Sequence, residues 1–330
     1  MTYNMEIRIF SEQEVRQAVS LSDAITAIES AFVSYSQKSA TVPPVMHLEV
    51  PEHHGEVHIK SAHIHRSSEC VIKVATGFYR NRLRNLPSGS GLMLILSAET
   101  GFPLAILLDH GYLTDLRTAA AGAVAAKHMA NEEVDQVAIL GAGIQGRFQL
   151  EALACVRRFK RVMVYDHHVI NIAAYIAEME HRIDAEIFPA STVEEATRGS
   201  RIVVTCTPSR KPFVRAAMIE PGTHITAMGA DGPEKQELDP DVIVKADCVV
   251  ADSVAQCVQF GELHHALQAG LIEEKDIDGE LVDVIRRRIA GRTDKDQITV
   301  CDLTGVGVQD AAIAQLAFQK ASDLHKKKQP

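Results

Sequence analysis

"VAILGAGIQGRFQL", residues 137–150, decides how the rest of the chain is read. An apolar run enters Gly141-Ala142-Gly143-Ile144-Gln145-Gly146, a complete G-x-G-x-x-G, and an amphipathic stretch follows. The pattern predicts a strand over 136–140 and a helix over 144–157. A second apolar run, "RVMVYD", closes on Asp166. Glycines in that spacing mean little alone. Between a strand and a helix, with an acid ending the next strand, they form a dinucleotide fingerprint. Gly141 permits the tight turn, Gly143 lets backbone approach a pyrophosphate, and Gly146 allows helix and strand to pack closely. The helix start offers free N–H groups and a positive dipole end to the phosphates. Asp166 is placed to accept hydrogen bonds from the adenosine ribose, which favours NAD. Neighbouring His167, His168 and Arg147 leave NADP open.

From about residue 134 the chain continues in the same rhythm. "AEIFPA", "RIVVTCT", "HITAMGA", "CVVADS" and "QITVCDL" read as further strands, with helical segments such as 168–181 and 192–199 between them. That alternation predicts an α/β fold: a Rossmann-type, doubly wound parallel sheet with helices on both faces. The expected extent of this domain is 117–307.

Residues 1–116 read differently. "SEQEVRQAV" carries a Ser-x-x-Glu capping box, and "SDAITAIESAFVSYSQ" has helical pattern. Strand-like pieces follow at 45–50, 56–63 and 69–76, and "GLMLILSAETGFPLAILLD" reads as a hairpin turning at Gly101. An Ala-rich helix over about 117–129 joins the halves, and a last helix over about 308–326 lies beyond the final strand. Residues 1–116, with the C-terminal helix of about 308–330, are expected to form a second α/β domain for substrate binding and dimerisation.

Composition narrows the classes. The 330 residues are 46% hydrophobic and 23% charged, as in folded soluble proteins. A formal charge of −9 argues against nucleic acid as a partner, because phosphate recognition needs clustered Lys and Arg. The start, "MTYNMEIRIF", has no signal-peptide pattern, and no apolar run reaches membrane-span length. Six cysteines without a CxxC pair read as reduced thiols, hence an expected cytoplasmic location.

The chemistry is expected at the strand ends. In "HITAMGADGPEKQELDP", residues 224–240, Asp231 ends a strand-like run, and Lys235 follows four residues later. Asp-Gly-Pro is ordinary turn chemistry, but a carboxylate at the mouth of such a sheet can also relay protons at a carbon exchanging hydride. Thr205 and Thr207 in "TCTPS", and Thr304 with Gly305 in "DLTGVG", are the further walls of that cleft. The N-terminal half offers Lys60, Lys73 and Arg117 for a substrate carboxylate. Lys73 stands inside the apolar run "CVIKVATGF", which is costly unless it faces a cleft. Arg117 opens the Ala-rich helix beside Thr118, with Asp115 as the alternative ion-pair partner, and Lys60 reads equally well as an exposed strand residue. His53, His54, His58, His63 and His65 show no carboxylate or thiol at ligand spacing, so no metal is expected.

"IKVATGFYRN", "SGLMLILSAETGFPLAILLD", "YLTDLRTAAAGAVAAKHMA", "AILGAGIQGRFQLEAL", "TPSRKPFV", "PGTHITAMGADGPEKQELDP" and "DLTGVGVQDAAIAQLAF" together resemble the ornithine cyclodeaminase/mu-crystallin family over about residues 40–320. The wording is most similar to members associated with ectoine breakdown. The resemblance implies an NAD(P)-binding domain plus an N-terminal domain that builds a dimer. It places Lys73 and Arg117 at substrate-binding positions, Asp231 at the acid/base and Lys235 on the substrate side. Thr118, Gly141–Gln145, Asp166, Thr207, Thr304 and Gly305 match cofactor or active-site wall positions. Where many members carry an arginine in a Pro-x-Arg setting, this chain has Met46, and Lys60 stands where a neutral residue is common.

The implied reaction is a redox-neutral cyclodeamination. NAD⁺ takes the α-hydride of an amino acid, ammonia leaves, and the hydride returns to a cyclic imine. An NAD(P)H-dependent imine reductase or amino-acid dehydrogenase needs the same residues. A mu-crystallin-like binding protein without turnover is the third reading, and a small amino or imino acid is the expected partner in each.

Overall fold

The computed structural model describes residues 7–36, 39–84 and 86–328. Positions 37, 329 and 330, included in the expected second helix and C-terminal segment, lie outside the described residues, as does most of the N-terminal stretch inspected for a signal peptide. The chain divides into two compact units, one of Met1–Arg117 with Val306–Pro330 and one of Thr118–Gly305.

In the first unit, β1 (Arg8–Ser11) leads into α1 (Glu12–Ala18) and α2 (Leu21–Ser36). Then come β2 (Ala40–Thr41), β3 (Met46–Val50), β4 (Gly55–Ile64), β5 (Glu69–Phe78), β6 (Gly89–Ser97) and β7 (Pro103–Leu108). The capping box at α1 forms as read: Ser11 accepts from the Glu14 N–H and Glu14 accepts from the Ser11 N–H. The strands run β1-β7-β6-β5-β4-β2, with β3 also on β4. Helix α3 (Tyr112–Met129) starts earlier than the Ala-rich pattern suggested, because the Asp109 carboxylate caps it by accepting from the Leu113 N–H at 2.8 Å. Arg117 is therefore inside a helix rather than opening one.

The register of this sheet sorts its side chains. One row runs Phe10, Leu107, Met93, Lys73, Lys60 across β1, β7, β6, β5 and β4. It lies on the face covered by α11 (Gly307–Lys328), which packs on β4, β5 and α2. Alternate residues form the opposite face, where Ile9, Ile106, Leu94 and Ile72 make a second row. Ile9 is 59% exposed, Leu48 57% and Met46 61%. Met46 pairs with Ile59 and so stands on this apolar face, away from Lys60 and Lys73.

The second unit follows the strand–helix rhythm: β8 (Gln136–Leu140), α4 (Ile144–Val156), β9 (Arg161–Tyr165), α5 (Val169–Met179), β10 (Glu186–Pro189), α6 (Val193–Thr197) and β11 (Ile202–Thr205). After β11 come β12 (Arg210–Val214), β13 (His224–Ala227), β14 (Gln236–Leu238), α7 (Pro240–Lys245), β15 (Cys248–Ala251), α8 (Val254–Phe260) and α9 (Glu262–Gln268). The unit closes with β16 (Gly279–Glu280), α10 (Leu281–Ile285) and β17 (Thr299–Asp302). Eight parallel strands run β10-β9-β8-β11-β13-β17-β15-β16. The order reverses between β8 and β11, the switch point where such sheets bind ligands. Val137 and Ile139 of β8 join the core on one face, Ala138 and Leu140 the core on the other. Burial on both faces is why these strands read as unbroken apolar runs. Strands β12, β14 and β16 were not expected; each is five residues or fewer and mixes polar with apolar positions, so none carries a periodic signal.

Candidate active site

At the switch point the fingerprint residues adopt the geometry their types require. Gly141 has φ +122°, a region closed to most side chains, and a Cβ there would stand 2.9 Å from the Cys206 carbonyl oxygen. A Cβ at Gly146 would clash with the Gly141 carbonyl oxygen, whereas at Gly143 it would meet nothing within 4 Å. Gly143 thus leaves open space over the start of α4, whose end has no side-chain cap. Free N–H groups under an open glycine fit a pyrophosphate.

Asp166 follows β9 and fastens the loop. One carboxylate oxygen accepts from the Ala142 N–H at 2.9 Å, the other from the His168 N–H and the Asn171 amide. Arg147 donates to the Ala142 and Gly143 carbonyls and to Glu178, and stacks over the Tyr175 ring. Its engagement there argues against a role in reading a 2′-phosphate. Ile144 is 59% exposed at the helix start, and Gln145 follows it. Thr118, in α3, accepts through its carbonyl from Gln149.

The strand-end loops are held by buried carboxylates that the sequence reading missed. Glu237 accepts from the Thr207 N–H and hydroxyl through one oxygen and from the Gly229 N–H through the other. Burial pushes its carboxyl up to about 6 against those hydrogen bonds. Gly229 is required here, because a Cβ would stand 2.5 Å from the Glu237 carboxylate. Asp252 accepts from the Gly305 N–H and the Thr304 hydroxyl, so these two wall positions are fixed from beneath. Acids closing short apolar runs, as in "VADS", were the available signal.

Asp231 departs from its expected place. Strand β13 ends at Ala227, so Asp231 lies in the loop beyond it, 55% exposed at its side chain. Lys235 reaches back to it at 2.6 Å. The acid and amine at the mouth of the sheet are an ion pair, and the chain between them is a turn rather than a helix.

Lys73, Arg117 and α11 come together in the first unit. Lys73 is 2% exposed, and its Nζ donates to Asp310 Oδ1 at 2.9 Å. Arg117 Nε lies 3.1 Å from the same oxygen as a charge contact rather than an aligned hydrogen bond. Arg117 Nη1 donates to Gln309 at 3.0 Å. Arg117 thus pairs with Asp310, a residue that carried no signal in the sequence reading. Burial pushes the Lys73 ammonium down to about 7; Asp310 holds it up, while Arg117 and Lys60 press it further down. Asp310 is held below the usual carboxylate range by Lys73, Arg117 and Lys60, against its burial.

The histidines give one correction. His63 and His65 lie with ring centroids 6.0 Å apart, but the tighter group is His47, Glu56 and His58. Pairing of β3 with β4 sets His47 opposite His58, and their ligand atoms with those of Glu56 all lie within 4.8 Å of one another. A carboxylate does therefore stand at ligand distance, brought there by the register.

The model of the ornithine cyclodeaminase/mu-crystallin family matches residues 5–325. An uncharacterized cyclodeaminase of Sinorhizobium fredii is 44% identical over 96% of this chain and 96% of its own length. The alanine dehydrogenase of Archaeoglobus fulgidus is 38% identical with the same coverage. Among solved structures, the Thermococcus litoralis Delta(1)-pyrroline-2-carboxylate reductase in complex with NADH and L-proline superimposes with a TM-score of 0.92 at 30% identity, covering 97% of this chain and 98% of that one.

Proposed function

The chain belongs to the ornithine cyclodeaminase/mu-crystallin family, and from that premise we propose an NAD-dependent enzyme that reduces the C=N bond of a 2-imino acid, or oxidises the corresponding amino acid. The observation that carries this reading is the buried Lys73–Asp310–Arg117 cluster. A lysine near pH 7 is matched to moving a proton at a nitrogen, and the arginine beside it to holding a carboxylate.

Gly141, Ala142, Gly143, Ile144, Gln145 and Gly146 would hold the pyrophosphate of NAD, and Asp166 its adenosine ribose. Thr118, Thr205, Thr207, Thr304 and Gly305 would line the cofactor side. NADH, when bound, supplies the hydride to the imine carbon. In the first unit Arg117 would bind the α-carboxylate and Lys73 would bring the proton that the nitrogen takes as the amine forms; in the second unit Asp231 is the proposed acid/base. Lys235 holds Asp231 in place through their ion pair.

The cyclodeaminase cycle starts with the same hydride removal and differs in its later steps, and two assays separate them. NADH oxidation with 2-oxo acids and ammonium is expected to proceed stoichiometrically. Proline release from L-ornithine beyond a catalytic amount of NAD⁺ would instead establish the cyclodeaminase. Asp231→Asn is expected to lower turnover about 10²- to 10⁴-fold while leaving the NADH dissociation constant within about twofold. Full activity in that variant would remove Asp231 from the mechanism.

The apolar face of the first unit is the proposed dimer surface. A patch spanning β1 to β3 invites a second copy, and a solved archaeal alanine dehydrogenase 36% identical to this chain is described as a dimer. Sedimentation is expected to give a dimer, and Ile9→Glu with Leu48→Glu a folded monomer. A monomeric wild type would overturn this assignment.

A further inference from the structure

The β3–β4 hairpin gathers a second polar group, distinct from Lys73, Arg117 and Asp310. Its register puts His47 opposite His58 and Glu49 opposite Glu56, all four on one face because side chains alternate along a strand. The rings of His47 and His58 stack with centroids 4.5 Å apart and planes 15° from parallel. Glu56 Oε2 lies 3.8 Å from His47 Nε2 and 3.5 Å from His58 Nε2. The other oxygen, Oε1, accepts from the Tyr79 hydroxyl at 2.5 Å, which keeps Oε2 turned towards the histidines. Strand β5 leaves room for this carboxylate: Gly77 stands opposite Glu56, and a Cβ there would lie 3.1 Å from Oε1. Gly55 lets the end of the hairpin close down on Phe78, since a Cβ on it would overlap that ring. His63 and His65, by contrast, are already bonded to the Glu69 carbonyl and the Thr41 hydroxyl.

We propose that His47, His58 and Glu56 form a binding site for a divalent transition metal of the zinc type. Imidazole nitrogen suits such ions, whereas calcium and magnesium take oxygen ligands. Zinc held tetrahedrally by nitrogen and oxygen at about 2.0–2.1 Å has its ligand atoms roughly 3.3–3.5 Å apart. The separations of 3.5 and 3.8 Å here come within a few tenths of an ångström of that spacing. Binding opens the two rings from their stack, so that both Nε2 lone pairs converge on the ion beside Oε2. Two histidines and one glutamate leave a fourth position for water, and Glu49 stands across from Glu56 on the same face. The Tyr79 hydroxyl is the outer group that orients the ligating carboxylate. All three ligands are partly or fully exposed, so the ion enters directly from solvent. Once bound, it ties β3 to β4 through side chains as well as through the backbone ladder. The proposal is independent of the reaction class given above.

Calorimetric titration of the full chain with Zn²⁺, after treatment with a chelator and without a polyhistidine tag, tests this. One site per chain is expected. His47→Ala and His58→Ala should each weaken it about 100-fold, and Glu56→Gln and Tyr79→Phe about tenfold. His65→Ala should leave the affinity unchanged. Chemical modification gives a second readout that needs no variant. Zn²⁺ is expected to protect His47 and His58 of the unaltered protein from diethyl pyrocarbonate, read by mass spectrometry, while His63 and His65 go on reacting. No binding by the wild type up to about 1 mM Zn²⁺ would overturn the assignment. So would an affinity unchanged in His47→Ala or Glu56→Gln, or protection confined to other histidines.

Discussion

Replacing Lys73 by methionine is expected to lower kcat/KM about 10³-fold, the scale of a lost proton donor. The fold should survive, because Asp310 keeps Arg117 as its partner. The pH profile of the unaltered protein carries the same assignment. Lys73 is driven down to about 7, so its charged form dominates only below that pH. Imine reduction, which uses the ammonium, is expected to fall as pH rises through about 7, and amino-acid oxidation, which uses the free amine, to rise there. Steady-state rates in both directions from pH 5.5 to 9, roughly two units either side of neutrality, check this. Parallel profiles would place the titration elsewhere.

Asp310→Ala is expected to cost about 3–5 kcal/mol of stability, because it leaves Lys73 and Arg117 buried without a carboxylate. Denaturant unfolding at pH 7 measures it. The pH dependence has a definite sign. Asp310 titrates below its ordinary value in the folded protein, so its contribution is complete above the ordinary carboxylate range and lost as pH falls through the lowered one. In the variant Lys73 loses the group that held its proton, so the deficit should shrink above neutrality, where the amine is neutral. A variant as stable as the wild type at pH 7 would show that Asp310 does not carry the cluster.

The main strands of the second unit, β12, β14 and β16 apart, were visible because a parallel strand buried on both faces must be apolar along its length. The helix after it must be amphipathic, so the pattern of the sequence repeats the pattern of the layers. The glycine fingerprint was visible for a related reason. Its turn, open surface and close packing each exclude a side chain, and only glycine satisfies all three. Lys73 and Arg117 were legible as charges among apolar residues, where burial needs a reason. Asp310 was not: a polar residue in the first turn of a helix is unremarkable until the fold brings Lys73 within 2.9 Å. Glu237 and Asp252 were hidden likewise, since nothing local distinguishes a carboxylate that braces a loop from one in solvent.

By itself the sequence determined the strand–helix alternation, the glycine-rich turn at the start of α4 and the presence of buried cations, because these follow from burial and backbone geometry within a few consecutive residues. Only the tertiary structure decided which strands adjoin, that β17 lies between β13 and β15, that Asp231 stands beyond its strand, and that Lys60 faces Lys73 while Met46 faces away. Those facts are matters of register and long-range pairing. A one-residue shift in register exchanges the two faces of a strand while leaving its sequence unchanged.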